Sequence, residues 1–173
     1  GAGESEETFA AAATTLSALK GLLATRDGEG DLENTESADP GLLTLVTRVL
    51  QTLDQLELTA DALKLSELEI RRLGELSFLA GDRDWALACY TAAANIAPGQ
   101  PATLRSLSRL ARESGDDDNL RQHLDGLLSI DPDDPHLLRE HARLLTKLGD
   151  DGAERNIRRL EAMGEVTAED KSM

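Results

Sequence analysis

The stretch Ile70-Arg71-Arg72-Leu73-Gly74-Glu75-Leu76-Ser77-Phe78-Leu79-Ala80-Gly81-Asp82-Arg83-Asp84-Trp85-Ala86-Leu87-Ala88-Cys89-Tyr90-Thr91-Ala92-Ala93-Ala94-Asn95-Ile96-Ala97-Pro98 decides the fold. On both sides of Gly81-Asp82 the apolar residues recur three and four apart, the spacing of a helix face and not the alternation of a strand. Gly81 is expected to stop one helix, Asp82 to cap the next, and Pro98 to close it. The punctuation then repeats. Gly81, Gly115 and Gly149 are each 34 residues apart, each is followed by Asp, and Pro98 and Pro132 keep the same spacing.

Working outward, the whole chain reads as all-α, because no segment of four to eight residues alternates with β-branched enrichment. Residues 1–25 form an N-terminal amphipathic helix with Phe9, Ala12, Ala13, Leu16, Leu19 and Leu23 on one face. Residues 26–40 form a flexible acidic linker: between Asp27 and Asp39 there are six acids and no base. Pro40 opens a strongly apolar helix, and residues 41–66 act as a helical cap or an oligomerisation segment, with capping inside the chain favoured. A further helix begins near Thr59 and runs to Ala80, with a candidate break near Ser66. Residues 67–164 hold three helical hairpins, 67–100, 101–134 and 135–164, and residues 165–173 read as a disordered tail.

The set Ile70, Leu73, Gly74, Gly81, Ala86, Tyr90, Ala93 and Pro98 resembles the tetratricopeptide repeat signature. The second hairpin is similar through Leu104, Leu107, Ser108, Ala111, Gly115, Leu124 and Pro132, with Leu120 and Leu127 at positions where small residues are usual. The third fits through Leu138, Ala142, Leu145 and Gly149 and departs at Glu154, Arg158 and Glu161, as a terminal capping helix would. The resemblance implies a right-handed superhelical solenoid of antiparallel hairpins with an N-terminal helical extension. It also implies a concave face, built by the first helix of each hairpin, that takes up extended peptides or partner helices.

Relative to the small residue of each first helix, positions three before, one after and four after share a stripe, since they differ by four and three. The resemblance turns that stripe toward the groove. It reads Arg71, Glu75, Phe78; then Arg105, Arg109, Arg112; then Arg139, Arg143, Thr146, with His136 and Lys147 at its border. Arginine holds carboxylates and phosphates through a planar fork of donors, so the expected ligand is an acidic or carboxylate-bearing segment of another protein. The competing reading is that these arginines pair with Glu75, Glu113 and Glu140 on their own helices, or simply keep a helix face soluble. The carboxylate clamp of heat-shock-protein co-chaperones is a related groove. Glu75 and Ser106 stand where that clamp has asparagines, so its ligand is not implied. A chaperone shielding an apolar client segment, through Phe78 and Leu79, is the rival within binding. A homo-oligomer seam through residues 1–66 is the rival in assembly.

Composition narrows the remaining classes. The 173 residues carry 18 basic and 33 acidic side chains, a net charge of −15, which repels nucleic acid and anionic lipid. The aromatic residues, Phe9, Phe78, Trp85 and Tyr90, are too few for a stacking platform. The apolar run from Phe9 to Ala24 contains Lys20 and is too short to insert in a membrane. A single cysteine, Cys89, closes no internal disulfide, which leans toward the cytoplasm. The opening Gly1-Ala2-Gly3 carries no methionine, and a leader or anchor upstream would move the domain to a periplasm or a membrane surface. No enzyme is expected. His123, His136 and His141 make no i,i+4 pair, no nucleophile or phosphate-loop motif occurs, and Cys89 reads as a small buried hydrophobe. Neither Asp27 to Asn34 nor Asp131 to Asp134 reproduces a twelve-residue calcium loop, so no metal or other cofactor is expected.

Overall fold

In the computed structural model, which describes residues 14, 17–21, 23, 40–168 and 170, every regular element is helical. No strand occurs among the described residues, and no helix among them is long and apolar enough to cross a membrane. The acidic linker expected over 26–40 lies, Pro40 apart, outside the described residues, as does most of the helix expected over 1–25. The described part of that helix, Ser17 to Gly21 with Thr14 and Leu23, is helical.

The chain divides into two compact units, residues 1–98 and 99–173. In the first, α1 spans Pro40–Gln55, a 3-10 turn spans Ala60–Leu63, α2 spans Glu67–Leu79 and α3 spans Arg83–Ile96. Ser66 opens α2 with a complete capping box: its hydroxyl accepts from the Glu69 amide, and the Glu69 carboxylate accepts from the Ser66 amide at 2.9 Å. Leu19, Leu23, Val46, Val49, Leu50 and Leu53 are buried in one core with Leu63, Ile70, Leu73, Trp85 and Cys89. The apolar face of α1 is therefore covered from within the chain. Two polar ties hold the same core together. The Trp85 indole donates to Asp54 at 2.8 Å, and Arg72 donates to the Leu23 carbonyl at 3.1 Å.

In the second unit, α4 spans Pro101–Ser114, α5 Asp117–Ile130, α6 Pro135–Leu148 and α7 Gly152–Met163. Pro101 and Pro135 sit in the first turn of their helices, where a missing N–H costs nothing. Consecutive helices pack in pairs, α4 on α5 and α6 on α7, with α5 also against α6. In the first unit α2 packs on α3 in the same way. Connections of two or three residues leave the paired helices antiparallel neighbours.

The periodic glycines carry those connections. Gly81, Gly115 and Gly149 have φ of 87°, 71° and 70°, the left-handed region that a Cβ disfavours. After each of them the amide of the following Asp donates five residues back, Asp82 to Ser77 at 2.9 Å, Asp116 to Ala111 at 2.8 Å and Asp150 to Leu145 at 2.8 Å. This is the Schellman closure. Asp82 and Asp116 then cap α3 and α5 through their carboxylates. The third turn differs. Helix α7 starts one residue later, its capping position is Asp151 without a side-chain bond, and Asp150 instead accepts from the Gly152 amide at 2.8 Å.

Of the tail expected to be disordered from residue 165, residues 165–168 and 170 are described, and a local closure sets their course. Gly164, at φ 75°, repeats the same closure, with Glu165 donating to the Leu160 carbonyl at 2.9 Å. The chain then turns back onto α6, where Asp170 is fully buried.

Candidate functional site

Each unit holds part of the predicted stripe. In the first, the Arg71 guanidinium lies between two carboxylates of its own helix, Glu67 and Glu75, both at 3.2 Å. Spacings of four bring these groups together without any ligand. Phe78 is buried, and Arg83 lies over its ring at 3.8 Å from the centroid, which adds a cation–π contact to the α2–α3 corner. Arg71, Glu75 and Phe78 are thus engaged inside this hairpin. Cys89 is fully buried in the core of this unit, and burial pushes its thiol up to about 12, so it is no nucleophile at neutral pH.

In the second unit, Arg112, His136, Arg143 and Lys147 line one open cleft of about 630 Å³, together with Asp117, Leu120, Glu140 and Leu144. The last turn of α4, the first of α5 and the length of α6 build it. Two ion pairs there cross between helices: Arg112 donates through Nε and Nη2 to Glu140 Oε1, and Lys147 Nζ lies 2.6 Å from Asp117 Oδ2. Both cations are half or more exposed, so these pairs contribute at most about 1 kcal/mol each and exchange readily with other carboxylates. Three permanent cations face two carboxylates there, so the cleft is basic against a strongly acidic background. Arg105 is exposed and makes no ion pair among the described residues, while Arg109 is half-buried on α4.

Arg139 does not line the cleft. Its Nε lies 3.2 Å from Asp170 Oδ2, and its Nη2 donates to the Glu165 carbonyl. The sequence reading missed this partner, although Thr167-Ala168-Glu169-Asp170 has the spacing of a capping box and was legible as one. It also missed that Arg112 meets Glu140 across two helices, 28 residues away, because a stripe built from intervals of three and four sees a single helix only.

A second polar cluster joins α5, α6 and α7. Asn156 of α7 donates its amide to His141 Nδ1 of α6 at 3.0 Å, which leaves the proton of the neutral ring on Nε2, 3.3 Å from Asp125 Oδ1 of α5. Burial holds this ring below the usual imidazole range; Asp125 and Asp150 oppose the shift and Arg121 assists it. It orients helices and does not reach the cleft lining. Among the described residues no group of three or more His, Cys, Asp or Glu side chains is arranged to hold a metal. No protein-family model and no curated protein sequence matches the chain, so what the cleft can bind follows from its own chemistry.

Proposed function

We propose that residues 67–164 form a tetratricopeptide-like array, and that the protein is a non-catalytic adaptor or assembly scaffold holding an acidic or carboxylate-bearing segment of another protein. The 34-residue recurrence of hairpin, left-handed glycine and Asp supports the array. The cleft on α4, α5 and α6 is the proposed seat of the partner. The observation that carries the reading is that Arg112 and Lys147, both half or more exposed, spend their charge on partly buried carboxylates of neighbouring helices. A partner carboxylate exchanges with Glu140 or Asp117 at little cost, and Arg143 and His136 widen the set of donors along the same face.

The chaperone reading asks for Phe78 to meet a client, and its burial under Arg83 weighs against that. Oligomerisation through residues 1–66 is disfavoured in the same way, since Leu19, Leu23 and the buried face of α1 are already covered.

A fluorescein-labelled Glu-rich peptide, followed by anisotropy, tests the adaptor reading. Binding should weaken by about tenfold or more in Arg143→Glu, the order expected when one charge-assisted contact of about 1.5–3 kcal/mol becomes a repulsion. An affinity that is the same in the variant and the parent would remove the electrostatic cleft.

A further inference from the structure

Arg139 shows what an acidic ligand of this surface looks like, because the chain supplies one. After α7 the backbone turns at Gly164, and among the described residues the Arg139 guanidinium reaches the segment that follows: Nε to Asp170 Oδ2 at 3.2 Å, Nη2 to the Glu165 carbonyl, and Nη2 to Glu165 Oε2 at 3.7 Å. The segment organises itself for this. The Thr167 amide donates to Asp170 Oδ2 at 2.8 Å, and the Asp170 amide donates to Thr167 Oγ1 at 3.2 Å, a reciprocal cap that aims the carboxylate at α6.

The fit is deep at one point and shallow elsewhere. Asp170 is fully buried, whereas Glu165, Thr167 and Ala168 are exposed. Its second oxygen, Oδ1, is buried without a hydrogen-bond partner among the described residues. A carboxylate held through one oxygen on one nitrogen of a guanidinium falls short of the two-pronged pairing that arginine offers. The orphaned oxygen adds a desolvation cost that a solvated carboxylate does not bear.

We propose that Glu165–Asp170 is a releasable intramolecular ligand of α6, and that the surface around Arg139 is a receptor for an acidic Thr-x-x-Asp turn, accepting the same chemistry from a partner when its own segment leaves. This goes beyond the cleft, which Arg139 does not line, and stands whether or not the cleft binds an acidic peptide.

The test uses the full chain, labelled with nitrogen-15, and an N-acetylated peptide of the sequence of residues 165–173 as probe. The peptide should shift the α6 amides around Arg139 in Asp170→Ala. In the parent it should bind roughly tenfold or more weakly, because the tethered segment competes at an effective concentration of about a millimolar. Adding Arg139→Ala to the Asp170→Ala chain should abolish the response. Where Asp170→Ala loses helix content, Asp170→Asn, which keeps the shape and removes the charge, takes its place. Equal binding by the parent and the variant, no binding by the variant, a response that survives Arg139→Ala, or loss of fold in both Asp170 variants would each overturn the proposal.

Discussion

Gly74 is small because an aromatic ring passes over it. A Cβ built on Gly74 would lie 2.8 Å from Tyr90 Cε1 and 3.0 Å from Cys89 Cβ, closer than side chains pack. Tyr90 is fully buried, and its ring is fixed between α2 and α3, so it cannot swing away as a flexible chain end would. Gly74→Ala therefore separates the two helices against its gain in helix propensity of about 1 kcal/mol. Overpacking of this kind costs about 1–3 kcal/mol, so the net expectation is a destabilisation of about 0–2 kcal/mol. Urea denaturation followed by Trp85 fluorescence measures it, since this lone tryptophan is in the same core. A clear increase in stability would mean that the helices are not held at this distance. Ser108 and Ala142, at the corresponding positions of the second and third hairpins, are also buried. The requirement for small residues there follows from hairpin packing and was visible in the sequence spacing.

At the scale of elements, three helices meet at His141. It stands on α6, takes a hydrogen bond from Asn156 of α7, and faces Asp125 of α5. Burial keeps its folded pKa below the ordinary 6.5 despite Asp125 and Asp150 nearby, and His123 on α5 is lowered for the same reason against the pull of Asp116. Between the folded and unfolded values the unfolded chain binds more protons. The stabilisation is therefore full above about pH 6.5 and is lost over the window that runs from there down to the folded value. Thermal unfolding should show Tm falling across that window, and His141→Gln should flatten the fall, leaving the share of His123. An unchanged slope in the variant would show that His141 does not carry the linkage.

The boundaries of these elements were readable because they depend on near neighbours: a left-handed glycine, an Asp two or three residues before an amide, a proline in a first turn. The break at Ser66 belongs to the same class. What connects different elements was not readable from periodicity. Arg139 finds Asp170 31 residues along the chain, and Arg112 finds Glu140 28 residues along. Both arginines lay on the predicted stripe, and only packing decided that one faces a cleft and the other the segment that follows α7.

For the molecule as a whole, charge acts in two opposite directions. The chain carries −15, of which residues 67–164, with 13 basic and 18 acidic side chains, hold −5 and residues 1–66, with 4 and 12, hold −8. Such an excess repels itself, so the folded state is under electrostatic strain that salt relieves. The ion pairs of the second unit that salt would weaken are mostly exposed, as between Arg158 and Glu154 or Arg159 and Asp133, and contribute little. Repulsion summed over the excess acids outweighs them. Raising salt from about 0.02 M to about 0.5 M, which shortens the screening length from roughly 20 Å to roughly 4 Å, should raise Tm by a few degrees. The same salt screens an acidic ligand from Arg112, Arg143 and Lys147, so the anisotropy titration with the Glu-rich peptide should lose about tenfold or more in affinity over that range. The two slopes must have opposite signs. If stability and affinity both fell with salt, the exposed ion pairs would be holding the second unit together; if affinity were flat while stability rose, the cleft would not work by charge.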